Sequence, residues 1–368
     1  DRYGPRLTYT WLLVVGSLPV MGIGFAQDYT TFLLFRLGIG VIGASFVITQ
    51  YHTSVMFAPN CVGTANATTA GWGNLGGGVT QLVMPMIFSV FMVIGMGEFW
   101  SWRASMFVAG VVCLLTGMAY YKLTQDLPEG NYKDLRAAGR MPHVNKTKGT
   151  FLEACKDGRV WALFLIYGAC FGVELTINNI AALYYIDYFD LGLKTAGAVA
   201  ACFGLMNIFA RTLGGVFGDK FGARWGLRGR VTCRMIALAC EGVALIVFSQ
   251  MGVLATALAM MVVFSLFVQM SEGATFSVVP FINKRALGSV AGIVGAGGNF
   301  GAVTAGFLFK SEAISWPTAL FILGIIVTVC SGLTLFVRFS EAEELAAREE
   351  MAERLASAEV GGAVPDAA

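Results

Sequence analysis

Long runs of apolar residues alternate with short polar segments along most of the chain. Each run reaches about 20 residues, the length that an α-helix needs to cross the hydrocarbon core of a bilayer. Breaker residues and polar turns divide the pattern into ten predicted membrane spans. These lie at residues 7–26, 30–56, 63–94, 101–123, 159–186, 195–217, 231–250, 253–278, 286–309 and 316–338. The pattern predicts an all-α, polytopic membrane protein.

Two longer polar segments interrupt this pattern and suggest the domain boundaries. Residues 124–158 carry several Lys and Arg residues, which is typical of a linker between two helical bundles. Residues 339–368 are rich in Glu and Ala and are expected to form a partly helical, solvated tail; an acidic helix that docks a partner is the alternative. The predicted regions are a first bundle (1–123), the linker (124–158), a six-helix bundle (159–338) and the tail (339–368).

Composition supports the membrane assignment and excludes several functions. Apolar residues make up 56% of the chain and charged residues 13%, against about 25% charged in soluble domains. The eight cysteines form no CxxC pair and are expected to be packing residues. His52 and His143 are too few and too far apart for a metal site, although His52, near a helix end, could titrate or have a structural role. The chain has no phosphate-binding GxxxxGK(S/T) loop and no catalytic nucleophile–base pair. We therefore expect neither an ATP-driven pump nor an enzyme, and neither a cofactor nor a nucleic-acid partner.

The distribution of positive charge predicts the orientation in the membrane. If residue 1 is cytoplasmic, 20 of the 25 Lys and Arg residues fall in cytoplasmic loops and tails. The exceptions are Arg103, Lys194 and Lys310 on the outside, and Arg36 and Arg211 within spans. The N-terminal end, the linker and the tail are therefore predicted to be cytoplasmic.

Two glycine-rich stretches, residues 70–78 and 295–301, each place an asparagine among glycines in an apolar region. The asparagines are Asn74 and Asn299. Glycines allow close packing of membrane helices and uncover backbone for a small ligand. Helix packing alone explains one such stretch, but two copies in matching places favour a shared substrate site.

A loop motif of the form GxxxD(R/K)xGxR occupies residues 215–224, and a partial copy opens the chain. Its glycines permit a tight turn between packed helices, and Asp219 can cap a helix or pair with a neighbouring Arg or Lys. We expect a conformational role, in which the motif latches one state of the protein. The residues concerned are Asp1, Arg2, Gly4 and Arg6 in the first copy, and Gly215, Asp219, Lys220, Gly222 and Arg224 in the second.

These motifs carry a resemblance to a known family. The loop motif resembles the one that joins the second and third helices in each half of major facilitators. The two glycine–asparagine stretches resemble the paired nitrate signatures of the nitrate–nitrite porter family within that superfamily. Further stretches are similar to the high-affinity nitrate transporters of plants and algae, so the resemblance covers essentially the whole chain. They are residues 125–128, 172–175, 226–230, 273–276 and 285–288.

The resemblance implies proton-coupled uptake of nitrate at the plasma membrane, with nitrite as a second substrate. In many plant and green-algal relatives it also implies a small single-span accessory protein. An interior at about −100 mV opposes entry of one negative charge by about 2.3 kcal/mol, so uptake needs a coupled cation. A nitrate/nitrite exchanger and a nitrate sensor without net transport are the alternatives.

An internal repeat supports two related halves. Residues 1–4 match 219–222, residues 73–76 match 298–301, and residues 102–107 match 316–321, at similar offsets. Parallel repeats of this kind are how facilitator halves are built. The second half has a span pair before Asp219, and the first half has no counterpart before Asp1. The expectation is therefore an N-terminally truncated facilitator with about ten of twelve helices.

Arg211 is the leading candidate for a substrate ligand. A buried arginine in a membrane span is costly unless paired, and a planar guanidinium can donate to two oxygens of planar nitrate. A structural salt bridge is the alternative. The resemblance assigns Arg211 to a nitrate-binding arginine and places a second arginine about eight residues before Asp1. The other predicted substrate-binding residues are Asn74, Asn299, Tyr167, Gly73, Gly76, Gly298 and Gly301.

Glu174 is the leading candidate for proton coupling, because it lies near the centre of a span. A fixed ion pair with Arg36 or Arg211 is an equal alternative. Glu272 and Glu241 are weaker candidates of the same kind. Arg36 resembles the fourth-helix arginine of facilitators that is often linked to proton coupling, but its side chain could also simply reach the membrane surface.

Overall fold

The computed structural model describes residues 3–140, 149–311 and 313–362. Its regular structure is helical, and these ranges contain no β-strand. In chain order the α-helices are α1 (Pro5–Gly22), α2 (Tyr29–Gly40), α3 (Ser45–Met56), α4 (Val62–Val93), α5 (Gly97–Leu123), α6 (Tyr132–Ala137), α7 (Thr150–Lys156), α8 (Gly158–Phe189), α9 (Leu193–Leu205), α10 (Ala210–Ser249), α11 (Leu254–Val278), α12 (Leu287–Lys310), α13 (Trp316–Ser331) and α14 (Glu341–Gly362).

Each predicted span coincides with helical structure. Over the described residues, eight continuous helical stretches are long and apolar enough to cross a membrane. The number is below ten because Thr195–Ser249 contains two predicted spans in one run, and because α4 is not among the eight: its apolar part, Val83–Val93, is shorter than the others. The chain is a multi-pass, all-α membrane protein.

The segment predicted as a loop between the spans 195–217 and 231–250 is instead largely helical. Only Gly226 leaves the helical conformation, with φ 69° and ψ −155°. Positive φ disfavours side chains with a Cβ, so glycine allows the kink here. Helix α10 therefore consists of two helical parts that meet in a kink at Gly226: the first part contains the loop motif, and the second part contains the next span.

The helices pack into two compact units. Unit 1 consists of Asp1–Met56 and Gly73–Lys148, and unit 2 consists of Phe57–Trp72 and Gly149–Ala368. The sequence prediction placed residues 57–72 in the first bundle, whereas their packing groups them with unit 2. Helix α4 therefore contributes its first part to unit 2 and the remainder to unit 1.

In unit 1, α1 packs along α5, and the end of α5 is tied to the following segment. His52 bonds through Nδ1 to the Tyr120 hydroxyl and through Nε2 to the Gln125 carbonyl, the latter at 2.7 Å. The Tyr51 and Tyr132 hydroxyls lie 3.0 Å apart. His52 therefore has the structural role that the sequence allowed.

In unit 2, the long helices α8, α10, α11, α12 and α13 form the buried core. Glycines bring their backbones into close contact, for example Gly214 against Met270 and Gly242 against Thr328. Helix α14 confirms the prediction of helix in the tail, and its Glu343 pairs with Arg159 at 2.8 Å.

Candidate anion-binding site

A break in the helical path positions Arg211. Helix α9 ends at Leu205, a 3-10 turn covers Met206–Ile208, and α10 begins at Ala210. The sequence predicted one continuous span over residues 195–217, so this break is a correction. It places Arg211 in the first turn of α10, where backbone N–H groups lack intrahelical partners and the helix dipole favours negative charge.

Arg211 is fully buried, and its guanidinium meets polar and aromatic side chains. Its Nη1 forms ion pairs with Glu174, at 3.4 Å, and with Glu272. Its Nη2 donates to the Tyr167 hydroxyl at 2.9 Å. The guanidinium carbon lies 5.6 Å from the centre of the Phe171 ring. The salt bridge that the sequence allowed is thus present, and Tyr167, another predicted site residue, contacts the same guanidinium.

The two carboxylates on Arg211 are also buried, with Glu174 2% and Glu272 0% exposed. Asn207, in the 3-10 turn, donates from Nδ2 to Glu174 Oε1 at 2.6 Å. With both carboxylates ionised, Arg211 and its two partners carry a formal charge of −1. Such a cluster can hold protons, because neutralising a carboxyl group removes the cost of a second buried negative charge.

Glu174 pairs with Arg211, one of the two arginines considered for it. Arg36 is exposed on α2 and forms no ion pair with a described residue of its own unit. Its role in proton coupling remains a prediction.

Aromatic rings form the wall beside Arg211. The Tyr167 ring stacks on Phe171 and meets Phe276 edge-on, each with 5.2 Å between ring centres. Gly298 of the second glycine stretch lies against Phe171, and a Cβ there would overlap the ring. This glycine therefore supports the wall rather than contacting Arg211.

Gly297 and Gly301 of that stretch pack α12 against α8. A Cβ on Gly301 would overlap the Gly168 carbonyl, and one on Gly297 would overlap the Phe164 carbonyl. Asn299 is exposed on α12. The structure therefore does not bring Asn299 into the Arg211 cluster.

The first glycine stretch reaches the cluster through Gly71, which the sequence did not single out. A Cβ on Gly71 would lie 2.6 Å from the Asn207 carbonyl oxygen and 3.4 Å from Arg211 Cβ. Asn74 is partly buried, in the part of α4 that belongs to unit 1. At Gly73 and Gly76 an added Cβ would meet no described atom within 4 Å.

The sequence analysis did not predict that Asn207 contacts Glu174. It also ranked Glu272 below Glu174 as a candidate for proton coupling. Asn207 lies four residues before Arg211, so the continuous helix predicted over 195–217 would have placed both on one face and offered a signal for the amide. No comparable signal linked Glu272 to Arg211, because α11 and α10 meet only in the folded bundle. Phe171, one turn after Tyr167, could have been found from the same helical spacing.

The loop motif forms a second buried polar cluster in unit 2, which we call the latch: Asp219, Arg230, Gly63 and Thr64. Asp219 accepts from the N–H groups of Gly63 and Thr64 at 3.1 and 2.6 Å, and from the Thr64 hydroxyl at 2.6 Å. Arg230 Nη1 pairs with Asp219 at 2.5 Å, and its Nη2 donates to the Pro59 carbonyl at 2.7 Å. Asp219 thus both caps the start of α4 and pairs with an arginine, the two roles that the sequence allowed.

The remaining motif residues surround the latch. Gly215 lies against the Gly63 carbonyl, and Gly222 lies beneath the Arg230 side chain. Lys220 and Arg224 are exposed, and Arg224 lies 5.2 Å from the Trp225 ring centre.

In the first copy of the motif, Asp1 and Arg2 lie outside the described residues. Gly4 adopts φ 86° beside the Asp126 carboxylate. The Arg6 N–H donates to Asp126 at 3.0 Å, and Arg6 Nε donates to the Tyr121 carbonyl at 2.7 Å. These contacts tie the start of α1 to the end of α5.

Comparison with known proteins places this architecture in a family. The profile described as Major Facilitator Superfamily matches residues 1–282. High affinity nitrate transporter 2.5 of Arabidopsis thaliana is 41% identical over 332 residues, which cover 90% of this chain and 66% of that protein. High affinity nitrate transporter 2.7 of the same plant is 34% identical over an alignment that covers 89% of this chain and 69% of that protein. Nitrate transporter 2.1 of Chlamydomonas reinhardtii is 37% identical over an alignment that covers 87% of this chain and 59% of that protein. The chain thus spans about two thirds or less of the length of the more similar relatives.

Solved structures agree on the fold. A proton:xylose symporter of the superfamily superposes with a TM-score of 0.66 at 16% identity, covering 94% of this chain and 84% of that one. The Escherichia coli fucose:proton symporter gives a TM-score of 0.64 at 13% identity, and the superposition covers 91% of this chain and 84% of that one. The chain belongs to the major facilitator superfamily and, within it, to the family of the high-affinity nitrate transporters of plants and algae.

Proposed function

We propose that the protein takes up nitrate together with protons by alternating access. The observation that carries the proposal is the fully buried Arg211, held between Tyr167 and two carboxylates. The names of the similar plant and algal proteins support nitrate as the anion, and the residues around Arg211 supply suitable chemistry for it.

Nitrate suits this site because it is planar and has three equivalent oxygens. The Arg211 guanidinium can donate to two of them in a bidentate arrangement. The Tyr167 hydroxyl, already 2.9 Å from Arg211, can donate to an oxygen of the same anion. Nitrite offers two oxygens in a similar plane, so we propose it as a second substrate.

The two carboxylates explain why anion and proton would move together. While both are ionised, the cluster carries a formal charge of −1, and a nitrate beside it would be repelled. Protonation of Glu272 and Glu174 frees Arg211 and gives the cluster a charge of +1, which nitrate then neutralises. The site can thus take up to two protons with each nitrate.

The net charge that moves with each nitrate also determines the driving force. Two protons with one nitrate carry one net positive charge inward, which an inside-negative potential favours by about 2.3 kcal/mol per 100 mV. One proton with one nitrate is electroneutral. An exchanger of nitrate for nitrite would need no titrating carboxylate.

We further propose that the latch stabilises one conformational state. Asp219 holds the start of α4 to α10, and release of this contact would accompany the change of access. We place the protein in the plasma membrane, with its N-terminal end, linker and tail in the cytoplasm. A single-span accessory protein is a proposed partner, by analogy with plant and algal relatives.

The proposal is tested by current recordings from voltage-clamped cells that express the full-length protein. Nitrate is applied at external pH 5.5 and 7.5, and surface expression of each variant is measured by cell-surface labelling. Inward current that grows at acid pH, and that Glu272→Gln abolishes, supports coupled uptake. Robust exchange of labelled nitrate for internal nitrite without current would indicate an exchanger. Nitrate binding with neither current nor exchange would indicate a nitrate sensor.

A further inference from the structure

A groove of about 390 Å³ lies apart from the Arg211 cluster, between the second part of α10 and the segment that follows α13. Its walls are mainly apolar and include Val231, Met235, Leu335 and Phe339. Such a groove provides space for a chain of methylene groups rather than for a small hydrated ion.

Two arginines, Arg228 and Arg338, line the same groove, and both are exposed. Neither forms an ion pair with a residue in the described ranges. The nearby carboxylates are engaged elsewhere. Glu344 accepts from the Leu227 and Arg228 backbone N–H groups, and Glu343 pairs with Arg159. The groove therefore combines apolar walls with uncompensated positive charge.

The groove also continues into a surface suited to lipid. Leu335 lines it and is 59% exposed, and the adjacent Phe336 is 70% exposed. Exposed apolar side chains at the end of a membrane span contact acyl chains, and arginines at the span end lie at the depth of the headgroups. The mouth of the groove thus has the two environments that a phospholipid presents.

We propose that this groove binds an anionic phospholipid. The phosphate lies between Arg228 and Arg338, and an acyl chain follows the apolar wall. The choice of an anionic lipid rests on the proposed orientation, because the tail side then faces the cytoplasmic leaflet, where anionic lipids are concentrated. Basic pockets between membrane helices on that side are suited to such headgroups.

The floor of the groove links the lipid to the core of unit 2. Thr334, one of the lining residues, accepts a hydrogen bond of 2.7 Å from the buried Arg234 of α10. A lipid that fills the groove covers this contact and holds α10 to the end of α13. Binding is therefore expected to raise thermal stability, because a ligand that binds only the native state stabilises it.

The test measures thermal unfolding of the purified full-length protein in detergent, with added phosphatidylglycerol or phosphatidylcholine of identical acyl chains. Phosphatidylglycerol is expected to raise the Tm by several degrees more than phosphatidylcholine does. The paired substitution Arg228→Gln and Arg338→Gln should remove this difference. Arg224→Gln, which removes an exposed arginine of α10 outside the groove, should leave it unchanged.

A second variant keeps the test decisive if the paired arginine variant fails to fold. Val231→Trp fills the groove without changing its charge, and it should also remove the difference between the two lipids. The proposal is overturned if Val231→Trp retains the full effect, if the two lipids act equally, or if inorganic phosphate alone reproduces the stabilisation. Since no step involves nitrate, failure here leaves the transport proposal untouched.

Discussion

Arg211 and Glu272 form an ion pair in which both side chains are fully buried. They reach each other from the first turn of α10 and from α11, and Glu174 joins them from α8. Removing one partner of a buried pair leaves an uncompensated charge, which typically costs about 3–5 kcal/mol. If the pair separates, a proton on the Glu272 carboxylate or an anion beside the Arg211 guanidinium would offset this cost.

The first prediction concerns the two carboxylates. Glu272→Gln leaves Arg211 with one ionised partner, so nitrate binding should become tighter at neutral pH and depend less steeply on pH, because one of the two proton-accepting carboxylates is gone. Labelled nitrate binding to purified protein at pH 5.5 and 7.5 measures this. Glu241→Gln is the matched control, because Glu241 is equally buried in unit 2 and forms no ion pair with Arg211. Unchanged pH dependence in Glu272→Gln would argue against its role as a proton carrier.

The second prediction concerns the contact of α8 with α12. Gly301→Ala places a methyl group against the Gly168 carbonyl, so the helices must move apart. Overpacking of this kind should cost about 1–3 kcal/mol and lower the Tm. Gly306→Ala, on the same helix, meets no described atom within 4 Å and should leave the Tm nearly unchanged. Equal effects of the two substitutions would contradict the packing role.

The third prediction concerns the latch. Asp219→Ala removes the cap on α4 and leaves the buried Arg230 without its carboxylate partner. The expected loss of stability is about 3–5 kcal/mol, measured by thermal unfolding. Lys220→Gln, which changes the exposed neighbouring charge, is the control. If Asp219→Ala costs no more than Lys220→Gln, the latch does not hold α4 to α10.

The fourth prediction concerns the pH dependence of the tail. Partial burial raises the pKa of Glu343, but hydrogen bonds from Ser340 and Arg159 outweigh this effect and hold the pKa below its ordinary value of 4.5. Because the folded-state pKa is lowered, the stabilising contribution is complete above pH 4.5 and is lost as the pH falls through the lowered value. Hydrogen exchange in α14 should therefore accelerate at strongly acid pH.

The matched variant for that experiment is Glu343→Gln. It should exchange faster in α14 at neutral pH and show a smaller change on acidification. A wild-type tail whose exchange, corrected for the intrinsic effect of pH, stays constant through the acid range would contradict this account.

The sequence predicted the helices well because hydrophobic length is a local property. It also singled out Arg211 and Glu174, which the structure places in contact, since charge within a span is costly wherever it lies. It did not predict the turn at Met206–Ile208 or the pairing with Glu272. Both depend on how helices distant in sequence pack together, and hydropathy carries no information on such contacts. The kink at Gly226 was missed for a similar reason, because glycine permits a helix break without requiring one.

The glycine stretches show a further limit of sequence reasoning. Repetition and composition identified them, yet the structure gives their glycines different roles. Gly301 packs helices, Gly298 supports an aromatic ring, and Gly71 approaches Arg211. Which neighbour a glycine meets depends on the facing helix, so these roles could not be assigned beforehand.

The most direct test of the central claim is the nitrate-induced current of Arg211→Lys, compared with wild type at external pH 5.5 and at equal surface expression. Lysine keeps the positive charge but cannot donate in a bidentate arrangement, so the account predicts a loss of at least about tenfold in apparent nitrate affinity, equivalent to about 1.4 kcal/mol. Wild-type affinity and current in Arg211→Lys would contradict the claim that this guanidinium binds the transported anion.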